Sequence, residues 1–115
     1  MIQVFGTKKC RDTQKALRFF KERGVQTQFC DITEKAPSPE ELDDMAKATG
    51  GYDALVDKTG DRAGKRGLAY MEYDAREEIL HDPLLLKTPI VRAGRGLAAV
   101  GLDEKTWKEF ANATH

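Results

Sequence analysis

The sequence predicts an α/β fold in which a βαβ unit and a ββα unit share one sheet, with a helical insertion between them. Three observations carry that prediction. A short apolar run, an amphipathic stretch and a second β-prone run follow one another between residues 2 and 32. The middle of the chain carries helix-start signals. From Thr88 onward, two short β-prone runs flank a glycine-containing turn and lead into another amphipathic stretch.

Residues 2–5 (Ile2, Val4 and Phe5 among them) predict the first strand. From Cys10 to Arg23 the apolar positions Ala16, Leu17 and Phe20 recur at helical spacing. Lys21 and Arg23 suit a last turn and Gly24 a stop. Val25 to Ile32 predicts a second strand, and strand, helix and strand this close imply a parallel pair. Ser38-Pro39-Glu40-Glu41 joins an N-cap serine, a proline at the first helical position and a glutamate at the third, so a helix starts there. Leu42, Met45 and Ala46 give it an apolar face, and Gly50-Gly51 ends it. Asp74 with Glu77 repeats the cap before Ile79 and Leu80, and Asp82-Pro83 closes that helix. Between the two, residues 58–67 (KTGDRAGKRG) are glycine-rich and basic and predict a solvated turn.

TPIV at 88–91 predicts a third strand, Ala93-Gly94 a hairpin turn and GLAAV at 96–100 the return strand. Asp103 then caps a last helix carrying Trp107, Phe110 and Ala111. Two parallel strands plus a hairpin, with the first and last helices packed on the sheet, is the thioredoxin-like arrangement. One domain over 1–115 is expected, with the insertion at about 37–87.

Composition narrows the function classes. With 19 basic and 19 acidic residues the net charge is zero, so no global field draws the chain to nucleic acid or a membrane. No apolar run approaches the ~20 residues of a membrane-spanning helix, and no signal-peptide pattern opens the chain. The expected address is the cytoplasm, and Asn112-Ala113-Thr114 is read as a chance match to a glycosylation acceptor. Two cysteines in such a chain predict reduced or reactive thiols rather than a disulfide framework.

Cys10 stands where a helix is predicted to begin. Unsatisfied amides and the positive end of the helix dipole favour thiolate there, and Lys8, Lys9 and Arg11 add positive charge. Thr13, one turn on, can direct its hydroxyl at the same sulfur. A lowered pKa would make the sulfur a nucleophile at neutral pH, the alternative being a cysteine that only caps the helix. A phosphatase-type loop needs arginine six positions after the nucleophile, and position 16 is alanine. A self-contained dithiol is disfavoured too, because Thr13 stands where the second cysteine of C-x-x-C would be.

Cys30, late in the second strand, falls at the same sheet edge as the Cys10 loop. It is a candidate resolving cysteine or a buried strand residue. Residues 60–66 (GDRAGKR) resemble a phosphate loop only loosely, being one residue short and lacking Ser or Thr after the lysine. His81 and His115 are too isolated to join either cysteine in a metal site, so neither a metal nor a bound cofactor is expected.

The segments KKCRDTQKALRFFKERG, APSPEEL and Leu85-Leu86-Lys87-Thr88-Pro89-Ile90-Val91, with a glycine before the last helix, together resemble the ArsC/Spx family over about residues 2 to 112. That family comprises glutaredoxin-linked arsenate reductases, the Spx regulators and YffB-like proteins. The resemblance implies the thioredoxin-like fold with a helical insertion. It makes Cys10 the catalytic position and Pro89 a cis-proline facing it. With Cys10 in that position, Lys9, Arg11 and Thr13 are the residues expected to steady the thiolate, and Lys8, Lys58, Arg62, Thr88 and Pro89 those expected to bind a substrate or thiol partner.

The arsenate reductases' oxyanion-binding arginines would fall where this chain has Thr88, Leu102 and Asp57-Lys58, with Arg62 the closest substitute. The C-x-x-C of the Spx switch is here C-x-x-T, and the ending GLAAVGLDEKTWKEF is most similar to the YffB-like branch. The implied function is a thiol-dependent reductase using one activated cysteine, with glutathione or glutaredoxin as partner and glutathione as co-substrate. Two alternatives stand beside it. One is a non-enzymatic Spx-like module that binds RNA polymerase or another protein without touching nucleic acid directly, and the other is a true arsenate reductase.

Overall fold

A computed structural model describes residues 2–67 and 72–114, so His115 lies outside the described residues. The chain begins with β1 (Ile2–Gly6), α1 (Arg11–Glu22) and β2 (Thr27–Asp31). The insertion follows, with α2 (Pro39–Thr49), a 3-10 turn (Tyr52–Leu55), α3 (Asp61–Arg66), α4 (Ala75–His81) and a second 3-10 turn (Pro83–Leu85). The chain closes with β3 (Ile90–Gly94), β4 (Leu97–Val100) and α5 (Glu104–Thr114). The sheet order is β2-β1-β3-β4. β1 and β2 are parallel, while β3 is antiparallel to both β1 and β4. This is the thioredoxin-like order expected from the sequence.

Alternation along the strands divides the core between the two sheet faces. Ile2, Val4, Val91 and Ala99 pack against Ala16 and Phe20 of α1 and Trp107, Phe110 and Ala111 of α5. Phe5, Ile32 and Ile90 pack on the other face against Leu42, Met45, Leu55 and Ile79 of the insertion. Each such side chain contributes about 1.5–3 kcal/mol by leaving water, so the insertion is held by a core of its own. No described helix is long and apolar enough to cross a membrane.

Local signals set several ends as expected. Ser38 and Glu41 form the reciprocal capping box of α2, and Gly50 ends that helix with φ 102°. Asp74 caps α4 by accepting from the Glu77 amide. Asp103 accepts from the Thr106 amide at the start of α5.

Four expectations need correction. Residues 61–66 form a helix rather than a turn, because Ala63 is buried against Leu85 and helical backbone is what brings it there. The hairpin turns at Arg95-Gly96, not at Ala93-Gly94, and the Gly96 amide donates to Asp44 of α2 at 2.9 Å. β2 starts at Thr27 because the Val25 amide still serves the end of α1, donating to the Phe20 carbonyl at 2.9 Å. β3 starts at Ile90, leaving Thr88 and Pro89 free of the ladder.

Candidate active site

β1 ends at Gly6, and the chain turns through residues 7–9 into α1. The Cys10 amide donates to the Thr7 carbonyl at 3.2 Å, and the Cys10 carbonyl accepts from the Gln14 amide at 3.1 Å. Cys10 is thereby the N-cap, with extended backbone (φ −78°, ψ 117°) and a half-buried side chain.

The second part of the site arrives from the far end of the chain. The Thr88 hydroxyl donates to Cys10 Sγ at 3.1 Å, and the Thr88 carbonyl lies 3.7 Å from the sulfur, where it accepts the thiol proton. Thr88 thus has an oxygen for each protonation state. The Thr88–Pro89 peptide bond is cis, as the resemblance implies, and the Pro89 carbonyl accepts from the Gly101 amide at 2.8 Å. That last bond ties the end of β4 to the same loop.

Thr13 supplies the third part. Its side chain is fully buried, and its Oγ1 has no hydrogen-bond partner of ordinary geometry. A Cβ on Gly6 would stand 2.2 Å from that oxygen, so only glycine lets the helix approach the strand this closely. An unsatisfied buried hydroxyl costs about 1–3 kcal/mol. Thr13 lies one turn beyond Cys10, and its hydroxyl is among the groups that lower the Cys10 pKa.

Partial burial raises the Cys10 pKa, but the hydroxyls of Thr13 and Thr88 and the amides of Thr13 and Asp12 outweigh it, so the thiol is held below its ordinary value. The amides act as oriented dipoles, because the sulfur makes no N-cap hydrogen bond of ordinary geometry. Lys8, Lys9 and Arg11 are exposed, where water and salt screen their charge.

Lys9 lines a cleft of about 550 Å³ together with Asp57, Gly60, Arg62, Lys65 and Leu84. Arg62 is shared with Asp82, its Nε 3.1 Å from the carboxylate. Lys58 is turned to Asp53 at 2.6 Å, a bond that raises its pKa. Lys65 is a cation the sequence reading does not single out. Its i,i+3 spacing from Arg62 becomes a signal only once residues 61–66 are known to be helical.

Cys30 lies opposite Phe5 on the edge strand, on the face covered by the insertion. Its thiol donates weakly to the Gln28 carbonyl at 3.8 Å. Burial and the Glu41 carboxylate push its pKa up, against the pull of Lys35. It lines a separate cleft of about 270 Å³ with Gln3, Glu34 and Pro37, and both cysteines are free thiols.

Solved structures share this fold over nearly their whole length. A YFFB protein superposes with a TM-score of 0.79 at 24% identity, covering all of both chains. An arsenate reductase from Vibrio cholerae gives 0.80 at 20% identity, covering 95% of this chain and 96% of its own. An ArsC family related protein from Bacteroides fragilis gives 0.83 at 19% identity with the same coverage. No curated protein matches the sequence. The model of the ArsC family, however, matches residues 5–110, and the chain belongs to that family.

Proposed function

We propose that the protein is a thiol-dependent reductase in which Cys10 is the single reacting sulfur and glutathione or a glutaredoxin supplies the reducing thiol. One observation carries this reading: Cys10 Sγ is met by the Thr88 hydroxyl at 3.1 Å, and the buried Thr13 hydroxyl, which has no hydrogen-bond partner of ordinary geometry, also lowers its pKa. Two donors facing one sulfur favour its anion, the form that attacks. The Cys10 thiolate displaces a thiolate from an oxidised substrate disulfide and forms a mixed disulfide. A glutathione thiolate then attacks the substrate sulfur of that disulfide and returns Cys10 as thiolate, leaving a glutathione–substrate disulfide. The electrons come from glutathione, and each displacement breaks one S–S bond and makes another.

The cations beside Cys10 suit such a partner. Lys9, Arg62 and Lys65 share one cleft, and glutathione carries two carboxylates. The Thr88–Pro89 loop lies outside the ladder, and in this reading its Thr88 amide is the backbone group that meets a thiol peptide. Arsenate is a weaker fit. The positions at issue hold Thr88 and the exposed Leu102, and Arg92 is committed to Asp44 at 2.9 Å and Gln3 at 3.0 Å. The YffB-like branch is the family setting this reading favours.

Intact mass after incubation with oxidised glutathione tests the proposal. One adduct is expected on the wild type and on Cys30→Ser, and none on Cys10→Ser. An adduct that survives Cys10→Ser and disappears in Cys30→Ser would reverse the assignment. An internal disulfide lost in both variants would make Cys30 the resolving thiol.

A further inference from the structure

We propose that the groove between α1 and α5 docks an acidic segment of another protein, one carrying an apolar side chain at its centre. The proposal goes beyond the redox reading and stands whether or not Cys10 turns over.

The groove encloses about 800 Å³. Lys15 and Arg18 line it from α1, Arg23 from the C-cap of that helix, and Lys105 and Lys108 from α5. Only two carboxylates, Glu22 and Glu104, stand among them. Five cations against two carboxylates leave three net positive charges in a chain whose total is zero.

Four of these cations, Arg23 aside, are also uncommitted. Among the described residues, Lys15, Arg18, Lys105 and Lys108 have no carboxylate within ion-pairing distance, whereas Lys58, Arg62, Arg76 and Arg92 each have one. Arg18 and Glu22 are one turn apart, as are Glu104 and Lys108, a spacing at which pairs form readily, yet neither pair closes. The charge therefore faces outward.

The groove has an apolar component and a preformed edge. Phe19 is half-buried within it, and Leu102 is 52% exposed at its rim. The Arg23 guanidinium stacks 3.6 Å over the Phe19 ring and donates to the Phe19 carbonyl at 3.2 Å, so this cation is ordered before any partner arrives.

Charge and shape select the occupant. From Lys15 to Arg23 the groove runs about 12 Å along α1, the length of two helical turns and too long for a small anion. A nucleic-acid backbone would meet the cations but would leave Leu102 without an apolar contact. An amphipathic acidic protein segment meets both the cations and the leucine. Lys15 lies little more than a turn beyond Cys10 on the same helix, and Leu102 follows the glycine whose amide binds the Pro89 carbonyl.

Amide chemical shifts of the full chain, titrated with three probes, test the proposal. The first is a blocked helical peptide of about 18 residues with Glu along one face and Leu along the other. The second is the same peptide with Gln for Glu, and the third a single-stranded DNA of equal charge. The Glu peptide is expected to shift amides of α1 and of residues 102–108, and to bind at least about tenfold more weakly in R18E or K108E. L102S is expected to cost about threefold, and the Gln peptide to bind about tenfold more weakly than the Glu peptide. In the wild type, the Glu peptide is expected to weaken steadily with added salt, a readout that requires no variant to fold.

Three results would overturn the proposal. One is the absence of saturable shifts in the groove, and another is tighter binding of the DNA to the same amides. The third is self-association of the chain that R18E abolishes, which would assign the groove to a second copy.

Discussion

Cys10 caps the helix that joins one parallel strand pair and Cys30 lies in the second strand of that pair, and both are partly buried, yet their surroundings drive them in opposite directions. At Cys10 two hydroxyls and two amides oppose desolvation and lower the pKa. At Cys30 desolvation acts with the Glu41 carboxylate and raises it. A cysteine in a βαβ unit is thus neither reactive nor inert by position alone. The donors that reach its sulfur decide, and at Cys10 one of them comes from 78 residues away.

That contrast can be broken from either side. The largest effect is expected for Gly6→Ala, which drives a methyl into Thr13 Oγ1. It should cost about 1–3 kcal/mol of stability, read from a denaturation midpoint, and slow Cys10 alkylation as the hydroxyl is displaced. Unchanged alkylation would remove Thr13 from the list of thiolate donors. Thr88→Val comes next. Keeping the shape and deleting the hydroxyl should lower the alkylation rate of Cys10 near neutral pH about tenfold and move its pH midpoint upward, since a hydrogen bond to a charged group contributes about 1.5–3 kcal/mol. A rate equal to that of the wild type would leave the helix amides as the main cause.

Glu41→Gln acts on the other thiol. Glutamine can still serve the α2 capping box, so the fold should hold while Cys30 loses a neighbouring negative charge. Cys30 alkylation should then rise about threefold with Cys10 unaffected, as mass-resolved labelling would show.

The smallest effect is a pair of opposite trends with pH. The folded pKa of Cys10 lies below that of the unfolded chain, so its contribution to stability is present above the unfolded value and is lost as pH falls through the folded one. The folded pKa of Cys30 is raised, so its contribution is present below the unfolded value and is lost as pH rises through the folded one. Melting curves between about pH 7 and pH 10 should show the wild type gaining on Cys10→Ser and losing ground to Cys30→Ser as pH increases. Parallel trends would contradict the contrast.

Features that depend on neighbours in sequence were legible without a structure. The Ser38–Glu41 box, the Asp74 cap and the Gly24 stop are local chemistry, and they lie where the residues indicate. Features decided at a distance were not. The hairpin turn moved by two residues because Asp44, on another element, holds the Gly96 amide. Residues 61–66 became helix because Leu85 offers Ala63 a place to be buried. At the site, Cys10 and Thr13 followed from spacing, whereas Thr88 was reached only through family resemblance and as a binding residue. Nothing local to Thr88 shows that its hydroxyl meets a sulfur on another element. Cations close in sequence to Cys10 drew attention to charge, while the lowering itself comes from hydrogen-bond donors.

The bridge between Val56 and Leu86 has an evolutionary consequence. With the Lys87 amide on the Leu55 carbonyl at 2.7 Å and the Asp57 amide on the Leu85 carbonyl at 2.9 Å, the chain leaves and re-enters the body of the fold at one point. The described residues between carry Arg62 and Lys65, contribute no strand, and return to the sheet-face core through Ile79. Doubling the length of such a loop costs only about 0.6 kcal/mol of closure entropy. Substitutions and length changes there can redraw what approaches the thiol while Cys10, Thr13 and Thr88 keep their geometry. Selectivity and reactivity are in this way heritable separately.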